Sequence, residues 1–140
     1  QLCGHILPTC TTHEAKVYYL KLKGDYQRYL AEIASGKAHE DWTAKAYTSY
    51  KESADIALTM LPAISSTRLG LMMNFSVFYY DMFHSPERAC LLTKTAYDDA
   101  IDGGLLDTDR VTENGEEYND SLAILRLMKN NLRIWTQQVK

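Results

Sequence analysis

The sequence predicts an all-α fold, an antiparallel array of five long helices that forms a single domain over residues 1–140. Apolar and aromatic residues recur three and four positions apart in long segments, and no stretch alternates strictly with a period of two. The composition is close to ordinary globular usage, with only seven glycines and three prolines, which argues against disorder and fibrous repeats. A chain of this length buries roughly 68% of its unfolded surface on folding, which suffices for a core of its own.

The first two helices are predicted from about Thr12 to Ser35 and from His39 to Met60. Gly36 is a suitable stop for the first, because glycine readily adopts the left-handed conformation that closes helices. Pro62 ends the second, since proline cannot continue a helix. Short links of this kind imply antiparallel neighbours.

The third and fourth helices follow from capping signals. Ser65, Ser66 and Thr67 offer N-caps for a helix that runs to about His84. The pair Ser85-Pro86 then combines an N-cap with proline at the first helical position, which predicts a helix that ends at Ile101 before two glycines.

The fifth helix is predicted from about Glu116 to Gln138, after a polar loop over residues 102–115 that closes with the turn pair Asn114-Gly115.

Composition excludes several classes of function. A net charge of −3 gives no general attraction for nucleic acid or an anionic membrane, so any anion site must be local. The most apolar stretch, residues 69–83, is too short and too often interrupted by polar residues to cross a bilayer. Three widely spread cysteines do not form a disulfide framework, which favours a reducing, intracellular location.

Catalytic and cofactor motifs are missing from the sequence. There are no paired Glu-x-x-His motifs, no His-Glu-x-x-His helix, no phosphate-binding glycine loop and no Gly-x-Ser-x-Gly turn. We therefore expect no enzyme and no cofactor, with an unrecognised active site as a remaining alternative. A zinc site is a further alternative, although the spacing of its four possible ligands fits no common structural site: Cys3, His5, Cys10 and His13.

Three helix faces are candidates for binding. On the first helix a charged stripe follows i, i+4, i+7, i+11 spacing, with Tyr29 at its edge; its members are Lys21, Asp25, Arg28 and Glu32. The alternative interpretation of this stripe is a solvated face with exposed ion pairs. On the third helix, one mixed polar and apolar face holds Gly70, Met73, Asn74, Val77 and Asp81, while the better core side holds Leu71, Phe75, Phe78 and Met82.

The fifth helix carries a similar mixture of amide and apolar groups. Leu127, Asn131 and Ile134 form one stripe, and Trp135 lies beside it. The alternative here is an ordinary core stripe that contains one hydrogen-bonded asparagine.

The amino-acid sequences of these segments resemble those of a known family. Residues 18–32, YYLKLKGDYQRYLAE, closely resemble a signature of the 14-3-3 proteins. Residues 68–71, RLGL, followed by NFSVFYY at 74–80, are similar to the second signature of that family, and residues 131–136 are similar to its last helix. The resemblance covers nearly everything from His13 to Thr136.

This resemblance implies an all-helical adaptor that binds phosphoserine or phosphothreonine segments of client proteins in an amphipathic groove and regulates them in signalling. Arg28 and Tyr29 would contact the phosphate and Lys21 would line its approach. Asn74 and Asn131 would hydrogen-bond the peptide backbone, and Glu32 and Asp81 would organise the polar wall. Gly70 lies on the same face, and the apolar wall would comprise Met73, Val77, Leu127, Ile134 and Trp135.

The sequence also departs from the family. Nothing before Thr11 resembles its N-terminal half, which supplies a lysine and a second arginine to the phosphate pocket and forms the homo- or heterodimer interface. Since the chain begins with Gln1 rather than Met, it is expected to start inside a longer product, with a second chain that supplies the missing half as the alternative. Because those N-terminal helices are not present in this sequence, it is expected to bind phosphopeptide weakly alone and not to form the usual dimer. Smaller departures are residues 65–67 in place of a His-Pro turn, Asp81 for glutamate, Asn130 for an acidic residue, and a longer loop between Ile101 and Tyr118.

The resemblance places the protein in the cytoplasm, with the nucleus as a second location. The main rival is a helical interaction scaffold that binds unmodified segments through the apolar groove, without reading phosphate.

Overall fold

A computed structural model describes the backbone of residues 8–105 and 110–139, and the side chains of residues 12–105 and 115–139. All regular structure in these ranges is helical, which confirms the predicted all-α class. The helices are α1 (Pro8–Ile33), α2 (Gly36–Met60), α3 (Ser66–Met82), α4 (Pro86–Asp102) and α5 (Arg110–Thr136). The chain divides into two compact units, residues 1–61 and 62–140, and each is described by itself. The single domain stays a prediction.

The first unit is an antiparallel pair of α1 and α2. Three hydrogen bonds join the two helices, and the residues they connect are closer in sequence the nearer they lie to the link, as an antiparallel pair requires. They are Ser53 Oγ to the Val17 carbonyl at 2.9 Å, Ser49 Oγ to Gln27 Oε1 at 2.6 Å, and His39 Nδ1 with the Ala31 carbonyl at 2.7 Å. Small side chains let the two backbones approach closely, and the fully buried ones are Ala31, Ala46, Ser53 and Ala57.

Both helices of this unit start earlier than predicted. Helix α1 starts at Pro8, because proline is well tolerated in the first turn, where its missing N–H has no intrahelical acceptor. Helix α2 starts at Gly36, three residues before the predicted His39, because Gly36 itself makes the turn with a φ of +62° and nothing after it interrupts a helix.

The second unit contains α3, α4 and α5. The predicted N-caps of α3 and α4 are confirmed, since Ser65 accepts from the Arg68 amide at 3.3 Å and Ser85 accepts from the Arg88 amide at 3.2 Å. Helix α3 ends at Met82 rather than His84, because His84 adopts a left-handed φ of 51° that no continuing helix accommodates.

Within this unit α3 and α5 run parallel and α4 runs against both. The Arg68 guanidinium pairs with Asp99 at 3.7 Å, which joins the start of α3 to the end of α4. At the other end Tyr80 donates to Gln138 Oε1 at 2.9 Å, just beyond α5. The buried side of α3 includes Leu71, Phe75 and Phe78, as predicted for its core side, whereas Met82 is partly exposed.

The start of α5 corrects the prediction of a continuous loop over residues 102–115. Residues 110–114 are helical and a break follows at Gly115, which has φ 26° and ψ −97°. No strong helix breaker occurs between residues 110 and 114, so the turn chemistry acts only at the glycine. The helix beyond that break begins at Glu116, as predicted, while residues 106–109 lie outside the described part of the chain.

Candidate functional site

In the first unit, Lys21 and Asp25 on the charged stripe of α1 form a partly buried ion pair. Lys21 Nζ lies 3.2 Å from Asp25 Oδ2, and the two side chains are only 16% and 22% exposed. The Lys21 ammonium also lies 5.6 Å from the centre of the Tyr18 ring. The corresponding pairs on α2, Lys37–Asp41 and Lys51–Asp55, are each more than half exposed. This part of the stripe is therefore more buried than the solvated ion pairs of α2.

The second carboxylate oxygen of Asp25 accepts a hydrogen bond from the hydroxyl of Tyr50 on α2. Tyr50 is fully buried. Burial, with the hydrogen bond to Asp25 and the charge of that carboxylate, raises the pKa of the Tyr50 phenol well above its usual range, and the nearby Arg28 charge acts in the opposite direction. Asp25 is thus held from both sides, by an ammonium and by a buried phenol.

Gly24 makes room for this arrangement. A Cβ built on Gly24 would lie 2.9 Å from Cδ1 and 3.0 Å from Cε1 of Tyr50, closer than side-chain carbons pack. Glycine is unfavourable inside a helix by roughly 1 kcal/mol relative to alanine. Its place in the middle of α1 therefore reflects the ring that packs against it.

Arg28 and the adjacent Tyr29 lie about two turns beyond Lys21 on α1. Arg28 is partly exposed, and it makes no ion pair or hydrogen bond with the described residues. The Tyr29 side chain is 57% exposed and Glu32 is exposed as well. The guanidinium and the phenol therefore remain available to an incoming anion.

In the second unit, the predicted binding face of α3 is distinct from its core face. Gly70, Met73, Asn74 and Val77 are partly exposed and Asp81 is exposed. Asp81 also lines a shallow surface cavity of about 330 Å³ with His84 and Gln138.

The predicted stripe of α5 is largely solvent-facing. Leu127 is 52% exposed and Ile134 is 43% exposed, which is unusual for large aliphatic side chains of a core stripe. Trp135 is only 5% exposed, and its ring stacks on Tyr80 of α3 at 5.2 Å between ring centres. Trp135 therefore supports the face from below and offers little surface of its own.

Asn74 and Asn131 lie at the same level of the parallel helices α3 and α5. Two side-chain hydrogen bonds connect the α3 region with the α5 region. Ser121 donates to the Ile64 carbonyl, 57 residues earlier, and Tyr80 donates to Gln138, 58 residues later. The same offset relates Asn74 to Asn131. One position earlier, the Asn130 side chain accepts a hydrogen bond from the Arg133 guanidinium at 2.5 Å. Asn130, which stands where an acidic residue is usual in the family, is thus still bound to a cation.

The structure places Lys21, Arg28, Tyr29 and Glu32 on one helix of the first unit, and the other candidates on two helices of the second. A cleft that joins Arg28 to Asn74 and Asn131 stays a prediction. Two residues that support the stripe, Gly24 and Tyr50, were not predicted; the isolated glycine inside a helix was the one local signal.

Two further points concern the zinc alternative and the predicted absence of a membrane span. Among the side chains of residues 12–105 and 115–139, no three histidine, cysteine, aspartate or glutamate residues cluster as a metal site would require. The zinc alternative itself falls on Cys3 and His5, outside the described residues, and on Cys10, whose side chain is not described. None of the described helices combines the length and apolar character needed to span a bilayer.

These features define an all-α protein of the helical-array class, with cationic and phenolic donors on one unit and mixed amide and apolar faces on the other. The family model described as 14-3-3 protein matches residues 2–136. The chain therefore belongs to the 14-3-3 family.

Similar proteins occur in fungi, animals and plants. The chain is 47% identical over 138 residues to protein BMH2 of Saccharomyces cerevisiae, covering 99% of this chain and 48% of that protein. It is 46% identical over 136 residues to 14-3-3 protein epsilon of Drosophila melanogaster, covering 97% and 50%. For 14-3-3-like protein GF14-F of Oryza sativa the identity is 47% over 135 residues, covering 96% and 50%. The chain thus spans about half the length of these relatives.

Proposed function

We propose that this chain binds phosphoserine or phosphothreonine segments of client proteins and acts as a non-enzymatic adaptor. The proposal rests mainly on one observation: the Arg28 guanidinium is partly exposed, forms no ion pair with the described residues and lies beside the exposed phenol of Tyr29. Membership of the 14-3-3 family supports a client-binding role.

The chemistry of these two groups suits a phosphate. A phosphorylated side chain carries roughly −1.5 to −2 charges and three acceptor oxygens. A planar guanidinium donates two parallel hydrogen bonds to such a group, and a phenol supplies a third. Lys21 and Tyr50 engage both carboxylate oxygens of Asp25, which would keep that carboxylate from competing with a phosphate for Arg28.

The second unit would bind the rest of the peptide. An extended peptide presents both N–H and C=O groups, and a side-chain amide both donates and accepts, so Asn74 and Asn131 at one level suit its backbone. The exposed Leu127 and Ile134, with Met73 and Val77, would contact its apolar side chains. Glu32 and Asp81 would organise the polar wall and, as carboxylates, would favour basic or hydrogen-bond-donating residues beside the phosphate.

The same proposal covers the clients, the location, the cofactor requirement and the dimerisation that the resemblance implies. The clients would be phosphorylated signalling proteins in the cytoplasm or nucleus, no cofactor would be needed, and the whole protein would dimerise as the family does.

Calorimetric titration of the 140-residue chain with two peptides tests the proposal. One peptide carries a central phosphoserine flanked by uncharged residues, and its twin carries serine. Because Lys21 is already neutralised by Asp25, we expect a Kd of about 1 µM or weaker for the phosphopeptide. The twin should bind at least about tenfold more weakly, since charge-assisted hydrogen bonds contribute about 1.5–3 kcal/mol. Equal affinity for both peptides would favour the phosphate-independent scaffold instead.

A further inference from the structure

A second cationic surface lies on the first unit, apart from the charged stripe. A shallow cavity of about 590 Å³ is formed between α1 and α2, and its lining includes Lys23, Gln27, Trp42, Lys45 and Ser49. The lining contains two cations and no anion.

The two lysines differ from most other lysines of the described chain. Lys21, Lys37, Lys51 and Lys94 each pair with an aspartate four residues later. Four residues after Lys23 the sequence has Gln27, and four after Lys45 it has Ser49. Neither lysine forms an ion pair with the described residues, and the Lys45 ammonium lies instead over the Trp42 ring, 4.6 Å from its centre.

The polar groups of the cavity are mainly hydrogen-bond donors. Ser49 donates to Gln27 Oε1 at 2.6 Å, which engages one lone pair of the amide oxygen and leaves the two N–H donors of Gln27 for another acceptor. The Trp42 indole can only donate, and so can both ammonium groups. A ligand that fits this lining must therefore supply acceptors and negative charge.

We propose that this cavity binds a carboxylate-rich segment of a partner protein, at a site separate from the proposed phosphate site. A nucleic acid would need a larger basic face than the two lysines of this lining provide. Bidentate recognition of a phosphate needs an arginine fork, and the lining contains no arginine. Two lysines and the ring of Trp42 suit the carboxylates and the apolar stems of consecutive acidic side chains, since tryptophan is favoured at protein interfaces.

The test titrates the ¹⁵N-labelled 140-residue chain with hexaglutamate and follows the indole N–H signal of Trp42. The chain has two tryptophans, so the variant Trp42→Phe assigns that signal. We expect a saturable shift, because a carboxylate that attracts Lys45 draws its ammonium away from the ring. The double variant Lys23→Gln/Lys45→Gln should bind about five- to thirtyfold more weakly, as two partly screened ion pairs would give.

Three controls make the result specific. Lys16→Gln/Lys129→Gln removes the same charge from two exposed lysines without ion pairs in the described chain, and should change the affinity by less than about twofold. Arg28→Gln should have no effect, which separates this site from the phosphate site. The inference is overturned if the Lys16/Lys129 variant weakens binding as much, if Trp42 does not respond, or if inorganic phosphate shifts the signal at lower concentration than hexaglutamate.

Discussion

The buried hydroxyl of Tyr50 donates a hydrogen bond to the carboxylate of Asp25, whose other oxygen pairs with Lys21. One residue of α2 therefore fixes two charges on the α1 stripe that carries Arg28. Because Tyr50 and Asp25 are 25 residues apart, the same hydrogen bond also joins the two helices of the first unit.

Replacing Tyr50→Phe keeps the ring and removes this bond. We expect the free energy of unfolding to fall by about 1–3 kcal/mol near neutral pH, because the carboxylate loses a buried donor. Urea denaturation followed by circular dichroism measures this change. A variant as stable as the parent would show that the hydroxyl contributes nothing to the fold.

The same substitution gives a pH prediction. The folded chain holds the Tyr50 proton at pH values where the unfolded chain, with a phenol pKa of about 10, releases it. The stability that this group contributes is therefore complete below pH of about 10 and is lost as the pH rises above that value. We expect the difference in unfolding free energy between parent and Tyr50→Phe to shrink as the pH rises from about 10 to about 11.5. A constant difference across that range would contradict the raised pKa.

Gly24→Ala should destabilise the first unit although alanine favours helices. The added methyl would meet Cδ1 of Tyr50 at 2.9 Å in a fully buried position, so ring or backbone must shift, at a cost of about 1–3 kcal/mol. Thermal unfolding of Gly24→Ala checks this. In the Tyr50→Leu background the same change should cost clearly less, and an equal cost in both backgrounds would show that the ring is not the cause.

Two buried hydroxyls of the second unit should respond oppositely to removal. Thr93 is fully buried and its hydroxyl has no hydrogen-bond partner among the described residues, so Thr93→Val should leave stability unchanged or raise it by about 1 kcal/mol. Ser121, equally buried, donates to the Ile64 carbonyl at 2.7 Å, so Ser121→Ala should cost about 1–3 kcal/mol. Denaturation of both variants under one set of conditions makes the comparison, and a larger loss for Thr93→Val would contradict it.

Local signals made much of the fold predictable. The caps at Ser65 and Ser85 and the core side of α3 depend on residues within a few positions of each other, and the structure confirms them. The helical residues 110–114 were missed because the turn pair Asn114-Gly115 was taken to end a loop, whereas only the glycine departs from helical geometry.

The candidate site was predictable to a smaller extent. Spacing placed Lys21, Arg28 and Glu32 on one stripe, but no pattern indicates that a tyrosine 25 residues after Asp25 lies beneath it. Contacts of this kind depend on the pairing of two helices, which helical periodicity does not specify. The burial of Trp135 against Tyr80 was not evident for the same reason.

The central claim, that the Arg28 guanidinium binds a phosphate, is tested most directly by a double-difference titration. The chain and its Arg28→Gln variant are each titrated with the phosphoserine peptide and its serine twin, with Arg88→Gln, an exposed arginine on α4, as the matched control. We predict that Arg28→Gln weakens phosphopeptide binding about 10- to 100-fold, leaves the twin unchanged and exceeds any effect of Arg88→Gln. If Arg28→Gln binds the phosphopeptide as tightly as the parent chain does, the phosphate site does not lie at Arg28.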